Sequence, residues 1–532
     1  MKFRLKTIFM LGAVLCFTSC SDLEVEETDS RFREGTGEGF SGVSDVPSAL
    51  TNRYNTLRGQ LESHENLYAL NEATTDELLI PTRGTDWGDN GLWRTLHEHT
   101  WNSNHQFILN TWNDHNSNIF NASEIIAPES NANPQQLAEA KFLRAFSMFW
   151  IMDLFGQVPF RPVDADPALN PMVMSRAEAY EFIVTDLEEA LPGLRSVGPG
   201  AETFFANQAA AHYLLAKLKL NKHIYLNSGG ADAADMTEVI DHVNAIDALG
   251  FGLQSGYFEI FEPAVDSETI WHTNSGVGNR MWGGLHYNQT SPDNTGGGWN
   301  GFTTLADFYN LFEGDPDNNH PGAGQEERRG FVPTAGTPVG ETEGYFGNGK
   351  DDNGDGFVDA SDIGVGFLMG QQYNLDGTMT EDRGGQPLFY TKDFPGLLGN
   401  PENTGVRVLK YNPSNGAYTG HLVVFRYADA LLMKAEAIFR GGNSDMTALE
   451  VINQLREIRQ ATPFTSLDEQ DILDERGREL YTEYWRRQDL IRFGQFTETW
   501  EFKDNTEEFR VLFPIPTTAL VSNPNLVQNE GY

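Results

Sequence analysis

Apolar residues recur at helical spacing in two long blocks of this 532-residue chain, and this periodicity limits the possible folds more than any other feature. The blocks run from about residue 43 to 249 and from 421 to 532. In the first block, Leu143, Phe146 and Trp150 fall on one face of a helix. The sequence therefore predicts a mainly α-helical protein.

The stretch between these blocks, residues 250–420, is rich in Gly, Asn, Asp and aromatic residues, as in NTGGGWNGF and EGDPDNNHPGAG. This composition is typical of long ordered loops with few strands. Loops of such length inside a compact protein usually carry function. We therefore predict an irregular ligand-binding region there. The small residues in ANQAAAHYLLAKLKLNKHIYLN and RYADALLMKAEAIFR favour close-packed, tetratricopeptide-type helical hairpins as its scaffold.

The first residues read as a bacterial export signal, because a basic start precedes a short apolar run from Ile8 to Phe17. A membrane-spanning helix needs about 20 apolar residues, so this run is too short to be one. Small residues then precede Cys20, which resembles the lipobox of a bacterial lipoprotein. We predict a signal over residues 1–19, lipidation of Cys20 and an acidic, flexible tether over residues 20–42. The alternative is an ordinary secretory signal with an incidental cysteine.

Cysteine usage and charge exclude several classes of function. The other cysteine, Cys16, lies inside the predicted signal, so the mature chain would hold no disulfide, thiolate metal site or cysteine nucleophile. The formal net charge is −39. Nucleic acid is therefore not expected as a partner, because there is no basic excess to neutralise phosphates. Anionic lipid head groups are disfavoured for the same reason, so an acyl chain is the expected membrane contact.

Several segments together resemble the SusD/RagB family of surface glycan-binding lipoproteins of Bacteroidetes. They follow one another in the order expected for that family and span most of the chain beyond the tether. The segments are AEAKFLRAFSMFWIMDLFGQVPF (138–160), RYADALLMKAEA (426–437), INQLREIR (452–459), ERGRELYTEYWRRQDLIRFG (475–494) and FPIPTTALVSNPNLVQNEGY (513–532).

The resemblance implies a SusD-like domain over residues 43–532, with helical hairpins carrying an irregular ligand-binding face. It also implies a cell-surface, outer-membrane location and a partner, the SusC-type TonB-dependent transporter. The acidic run after Cys20 is similar to the signal that sends such lipoproteins to the outer leaflet; the alternative is a solvated tether. The function implied is capture of an oligo- or polysaccharide and its delivery to the transporter.

One signature segment also contains carboxylates that could suggest an enzyme. Glu475, Glu479, Glu483 and Arg487 follow at four-residue spacing, so we expect successive pairs on one helical face. Glu479 and Glu483 could form a hydrolase acid/base pair, since glycosidases use two carboxylates about 5 to 10 Å apart. A general acid needs a raised pKa, whereas neighbouring arginines should keep both carboxylates ionised. These arginines are Arg476, Arg486, Arg487 and Arg492. We therefore predict no enzyme.

A glycan site needs flat aromatic faces for sugar rings and polar side chains for hydroxyls. Two segments offer both, IPTRGTDWGDNGLWRTLHEHTW and the stretch from Trp282 to Asn300 around NTGGG, where we expect glycines to let backbone approach a ligand. The predicted ligand-binding residues are Arg83, Trp87, Trp93, Trp282, Tyr287, Asn288, Trp299 and Asn300.

The tryptophans allow two interpretations. Trp112, Trp150 and Trp485 lie in helical patterns and are predicted to belong to the core. Trp87, Trp93, Trp282 and Trp299 stand beside Gly or polar residues, so binding and packing remain open for each. Trp101, Trp271 and Trp500 are undecided.

The segment DDNGDGFVDASD, residues 351–362, matches an EF-hand-type calcium loop. Such a loop takes ligands from its first, third, fifth, seventh, ninth and twelfth positions, with glycine at the sixth. The predicted ligands are Asp351, Asn353, Asp355, Phe357 (through its carbonyl), Asp359 and Asp362. The last is Asp in place of the usual Glu, which puts bidentate ligation in doubt. We predict a structural calcium site; the alternative is a solvated acidic turn.

Two alternative functions remain. The same fold could take up peptides, as some SusD/RagB relatives do, or the chain could be a glycoside hydrolase lipoprotein. The positioned acid and base that a hydrolase requires do not stand out in the sequence.

Overall fold

The structure, a computed structural model, describes residues 39–166, 168–262, 264, 266–274, 276–290, 296–334, 363–374, 378–411 and 421–532. Residues Gly42–Tyr532 form one compact unit. The predicted signal, Cys20 and the calcium loop at 351–362 lie outside the described residues.

Helices dominate both flanking blocks, as the periodicity predicts, and the mainly α fold class is confirmed. The described helices are α1 (Val46–Glu62), α2 (Asn66–Glu72), α3 (Leu92–His97), α4 (Gln106–Ile126), α5 (Pro134–Phe155), α6 (Arg176–Ala190), α7 (Gln208–Tyr225), α8 (Ala233–Ala248), α9 (Gly278–Gly284), α10 (Ala306–Tyr309), α11 (Tyr427–Phe439), α12 (Ala448–Ile458), α13 (Glu469–Leu480), α14 (Arg486–Arg492) and α15 (Thr517–Ser522).

The described strands are short and mostly belong to the middle of the chain. They are β1 (Gln157–Phe160), β2 (Met172–Ser175), β3 (Thr269–Thr273), β4 (Gly330–Phe331), β5 (Val365–Leu368), β6 (Gly370–Gln371), β7 (Phe389–Tyr390), β8 (Arg407–Leu409) and β9 (Leu422–Arg426). They pair antiparallel as β1–β2, β3–β9, β4–β5–β8 and β6–β7. Because β9 leads directly into α11, the β3–β9 pair ties the middle region to the second helical block.

Local sequence sets the ends of the main helices. Helix α5 begins with a capping box, in which Asn133 and Gln136 each bond the other's backbone, and it ends at Gly156 with a φ of 72°. Helix α6 begins with a second capping box between Ser175 and Glu178. These reciprocal bonds satisfy backbone N–H groups that would otherwise lack partners in the first turn.

Neighbouring helices pack as hairpins, with α4 against α5, α5 against α6, α7 against α8, and α11 against both α8 and α12. Ala209, Ala210, Ala211 and Ala216 of α7 are all fully buried, so their small side chains permit close packing. The predicted core tryptophans are confirmed: Trp112, Trp150 and Trp485 are each at most 4% exposed. Trp101 and Trp271 are buried as well.

The carboxylate row of the signature segment differs from the expectation of one continuous helical face. Helix α13 ends at Leu480, and Thr482 and Tyr484 take positive φ values of 60° and 76°. Glu483 therefore lies in a connecting turn, and Arg487 belongs to the separate helix α14. The four-residue spacing continues through a helix end that the sequence pattern did not reveal.

No helix among the described residues is both long enough and apolar enough to cross a membrane.

Candidate functional site

Two loops distant in sequence meet around Trp87 and Trp299. The indole Nε1 of Trp87 donates a hydrogen bond to the backbone carbonyl of Trp299 at 2.7 Å. The Trp87 ring also lies directly over Gly301, where an added Cβ would stand 2.2 Å from the ring. A glycine is therefore required at 301 for the two loops to meet in this way.

Three aromatic side chains at this junction reach solvent. Trp299 is 41% exposed, and Trp87 and Tyr287 are half-buried. The Tyr287 hydroxyl donates to the carboxylate of Asp86, which precedes Trp87 in the chain. We call Trp87, Tyr287 and Trp299 the aromatic platform. All three are among the predicted ligand-binding residues, and the fold brings them to one surface.

A second layer of rings supports the platform from below. Trp93 is 3% exposed and lies between Phe107, at 4.9 Å between ring centroids, and Phe302, at 5.6 Å. The His64 ring stacks on Trp93 with an interplanar angle of 13°. Burial, and then the nearby Arg280, lowers the pKa of His64 to about 4, so this ring is neutral near pH 7. Sequence reasoning missed His64, since a lone histidine between helices carries no pattern.

The loop that carries Trp87 has an unusual backbone. Trp87, Asp89 and Asn90 have φ values of 60°, 35° and 53°. Side chains other than glycine rarely adopt this region, at a cost of about 1 to 3 kcal/mol each. Asp89 is held there by a hydrogen bond from Trp93 Nε1 at 3.0 Å. Such strain is typical of ligand sites, where the surrounding contacts hold a loop in one shape.

Polar side chains surround the platform. The Arg383 guanidinium lies over the Tyr287 ring, 3.8 Å from its centroid, and pairs with Glu402. The Asn288 side chain is exposed and donates to the Glu381 carbonyl at 2.8 Å. Arg383 and Glu402 were not predicted, because each lies in a segment whose sequence is typical of an ordinary polar turn.

The structure places the other three predicted residues away from the surface. Arg83 is 2% exposed and donates to the Pro401 carbonyl and to Thr404, each at 2.7 Å. Asn300 is fully buried and accepts from Arg407 at 2.6 Å. Trp282 is 7% exposed within a cluster that includes Leu285, Leu368 and Leu409. These side chains position the loops and do not face solvent.

Two glycines of NTGGG, Gly297 and Gly298, approach the protein's own backbone. A Cβ on Gly297 would lie 1.9 Å from the Tyr287 carbonyl oxygen, and one on Gly298 would lie 2.1 Å from that of Leu285. Their role in the structure is to let this segment run close beside residues 282–287. They thereby bring Trp299 and Tyr287 to the same surface.

The carboxylates considered as a hydrolase pair are buried in ion pairs. Glu479 is fully buried and contacts Arg426 at 2.6 Å, Arg459 at 3.0 Å and Arg328 at 3.2 Å. Burial opposes its ionisation, but these three arginines outweigh burial and hold the pKa of Glu479 well below its usual range. The ionised state is as predicted, although the arginines that hold it come from other segments than 476–492. Glu483 pairs with Arg426 at 2.6 Å.

Among the described residues, no group of three or more histidine, cysteine, aspartate or glutamate side chains could hold a metal ion. A separate cleft of about 650 Å³ lies among the flanking helices. Its lining includes Trp112, Phe120, Pro159 and Leu526. Phe120 is 40% exposed, whereas Trp112 is 4% exposed. This cleft therefore offers one solvent-exposed aromatic ring, whereas the platform offers three.

Two family models match the chain. One, described as the SusD family, matches residues 267–532, and the other, described as Susd and RagB outer membrane lipoprotein, matches residues 84–213. Together they include both loops of the platform.

Individual relatives agree with these matches. The chain is 28% identical over 441 residues to the starch-binding protein SusD of Bacteroides thetaiotaomicron, covering 75% of this chain and 73% of the relative. It is 26% identical over 562 residues to the SusD-like protein P25 of Formosa agariphila, covering 97% and 98% of the two chains.

Solved structures show the same fold. A laminarin binding SusD-like protein superposes with a TM-score of 0.62 at 20% identity, covering 93% of this chain and all of that one. The surface glycan-binding protein A from Bacteroides uniformis gives a TM-score of 0.66 at 18% identity, covering 91% and 98%. At these identities the similarity establishes the fold.

Proposed function

Since this chain belongs to the SusD/RagB family, we propose that it is a cell-surface lipoprotein that captures an oligo- or polysaccharide on the aromatic platform. It then delivers the glycan to a SusC-like TonB-dependent transporter. The starch-binding and glycan-binding names of its relatives support the ligand class.

The observation that carries the proposal is the exposure of Trp299 beside the half-buried Trp87 and Tyr287. A sugar ring offers an apolar face to an indole and a rim of hydroxyls to polar groups. The platform supplies both, because Asp86, Asn288 and Glu402 lie at its edge.

We propose that the protein binds its glycan without cleaving it. A glycosidase needs one carboxylic acid that is protonated near neutral pH and reaches the substrate. Glu479 is buried, and its pKa is held far below that range. The burial and ionisation of Glu479 therefore favour a binding protein over the hydrolase alternative.

A binding screen tests the proposal. The purified chain without its signal is applied to arrays of polysaccharide-derived oligosaccharides and of oligopeptides, and hits are measured by calorimetry. Binding to oligosaccharides is expected. Binding to peptides alone would support the peptide-uptake alternative, and new reducing ends after incubation with polysaccharide would support the hydrolase.

Delivery and anchoring are separate parts of the proposal. We propose that lipidation of Cys20 holds the protein on the outer membrane, where it assembles with the transporter. Affinity purification of the full-length chain from outer membranes should co-purify one large TonB-dependent protein. A Cys20→Ala variant should lose membrane association while its purified domain keeps glycan binding.

A further inference from the structure

Two carboxylates and one guanidinium lie beside Tyr287, at one edge of the aromatic platform. Arg383 Nη2 lies 3.7 Å from Asp86 Oδ2, and its Nε pairs with Glu402. The side chains of Asp86, Glu402 and Arg383 are 43%, 22% and 50% exposed. Among the exposed charges of the described residues at this edge, one cation is therefore shared between two anions, so the solvent-facing charge is net negative. The guanidinium groups of Arg83 and Arg407 also lie nearby, but both are buried and engaged by backbone carbonyls.

Partial burial opposes ionisation of Glu402, but hydrogen bonds from Arg383 and His286 outweigh it and lower the pKa of this carboxyl. It accepts from the backbone N–H of Arg383 at 3.1 Å and from His286 Nε2 at 3.0 Å. The Asn288 backbone N–H donates to His286 Nδ1 at 3.1 Å, which assigns the imidazole proton to Nε2. Burial lowers the pKa of His286 to about 4, so its ring is neutral near pH 7 and adds no positive charge.

Arg383 is not an open anion-binding site. Its guanidinium lies over the Tyr287 ring and is already engaged by Glu402 and Asp86. A sulfate or carboxylate that approached Arg383 would have to displace these partners and would lie beside their charges. Like charges brought together in this way disfavour binding.

We propose that this platform selects uncharged glycans, with Asp86 and Glu402 as its specificity-determining residues. This inference rests on the proposed glycan-binding function and names the substrate class of the same site. Hydroxyl groups of a neutral sugar donate to ionised carboxylates in strong, charge-assisted hydrogen bonds. A uronic acid or a sulfated sugar meets electrostatic repulsion at the same positions. The net charge of −39 acts in the same direction over longer range, against any polyanion.

Matched pairs of oligosaccharides test the inference. Each pair shares a backbone and differs in charge: β-1,4-mannan oligosaccharides with oligomannuronates, fully methyl-esterified oligogalacturonates with unesterified ones, and desulfated carrageenan oligosaccharides with sulfated ones. For the pair whose backbone fits the site, the neutral member should bind at least about tenfold more tightly at physiological salt. Raising the salt should strengthen binding of the anionic member and leave the neutral one unchanged, because salt screens repulsion.

Two isosteric variants, Asp86→Asn and Glu402→Gln, singly and together, assign the selectivity to these residues. The double variant should bind the anionic member about tenfold more tightly than the wild type does and the neutral member severalfold more weakly. Glu189→Gln is the control, since Glu189 is an exposed carboxylate (57%) that pairs with Lys141 on the helical scaffold. Glu189→Gln removes one negative charge and should change the affinity for neither the neutral nor the anionic oligosaccharide. Unfolding temperatures confirm that each variant is folded.

The outcomes separate this inference from the function it rests on. Equal or tighter binding of the anionic member by the wild type would overturn the charge selection and leave glycan binding intact. Unchanged selectivity in the double variant would overturn the role of these two carboxylates. If neither member of any pair binds, the proposed function fails with the inference.

Discussion

Trp282 and Trp299 illustrate what single residues contribute to this site. The Trp299 backbone N–H donates to the Trp282 carbonyl at 2.7 Å, so the two residues are direct neighbours across adjacent segments. Yet Trp299 is 41% exposed and Trp282 is 7% exposed. The first is available to a ligand, and the second holds the loop in place.

Replacing Trp299 by Ala should weaken glycan binding. Loss of the exposed indole face removes stacking and apolar burial of about 1 to 3 kcal/mol. Calorimetric titration with the tightest oligosaccharide of the screen measures the change. Phe439→Ala is a matched control, because Phe439 is 39% exposed on the scaffold helix α11. Equal affinities for wild type and Trp299→Ala would remove Trp299 from the site.

Replacing Trp282 by Ala should act on stability. Truncation of a buried indole leaves a cavity and typically costs about 3 to 5 kcal/mol of unfolding free energy. Urea unfolding should show this loss, and Trp299→Ala should unfold at nearly the wild-type urea concentration. A Trp282→Ala variant as stable as the wild type would contradict the buried role.

The sequence identified these aromatic residues as candidates but did not separate the buried from the exposed ones. Trp87, Trp93, Trp282 and Trp299 all have glycine or polar neighbours, and the neighbours are equally compatible with both roles. Their exposure depends on which distant segment covers them, as Phe107 and Phe302 cover Trp93. Arg383 and Glu402 reach the site through long-range pairing, which no local pattern encodes.

At the scale of elements, buried ion pairs join the C-terminal helices. Glu436 of α11 receives two parallel hydrogen bonds from Arg492 of α14, both at 2.7 Å. Burial opposes its ionisation, but Arg492 and then Arg440 outweigh it and lower the pKa of Glu436 to about 2. The pair fixes how these helices pack, because a buried carboxylate without its partner is costly.

This pKa predicts a pH-dependent stability. A carboxyl with a pKa near 4.5 when unfolded and about 2 when folded adds stability in full above pH 4.5. That stability is lost as the pH falls from 4.5 towards 2. Glu436→Gln should therefore be less stable than the wild type by about 3 kcal/mol near pH 7, with the gap shrinking towards pH 2.

Unfolding by urea across this pH range checks the expectation. Glu238→Gln is the control, since Glu238 is 49% exposed in its pair with Lys219 and should contribute little at any pH. A gap between wild type and Glu436→Gln that stays constant with pH would contradict the assigned cause.

The calcium loop is inferred from the sequence alone, because residues 351–362 lie outside the described residues. We propose that Asp351, Asn353, Asp355, Phe357, Asp359 and Asp362 bind a structural Ca²⁺. In the described chain, β4 and β5 flank this segment and pair with each other, Phe331 with Val365. An ion here would therefore stabilise the long segment that connects two paired strands.

Removal of calcium should lower the unfolding temperature, because a ligand that binds the folded state stabilises it. Thermal unfolding is measured with calcium and after treatment with a chelator. An Asp351→Asn, Asp355→Asn double variant should match the chelated wild type and respond no further to the chelator. An unfolding temperature that does not depend on calcium would contradict the calcium site and support the alternative, a solvated acidic turn.

At the scale of the whole molecule, the helical blocks were predictable and the binding surface was not. Apolar residues at helical spacing are predicted to be buried on one face of a helix. Leu143, Phe146 and Trp150 follow this spacing, and all three side chains are at most 4% exposed. The helix end at Leu480 was missed, because the charge spacing continues past it. The platform forms where residues 86–87 meet residues 287–301, and such a junction depends on the complete fold.

The central claim is that glycan binds on Trp87, Tyr287 and Trp299. A crystal structure of the protein with the tightest oligosaccharide of the screen tests it most directly. We expect an intact sugar ring stacked on Trp299, with hydroxyls donating to Asp86 or Glu402. Sugar density in the cleft of Trp112 and Phe120, with none at the platform, would contradict it.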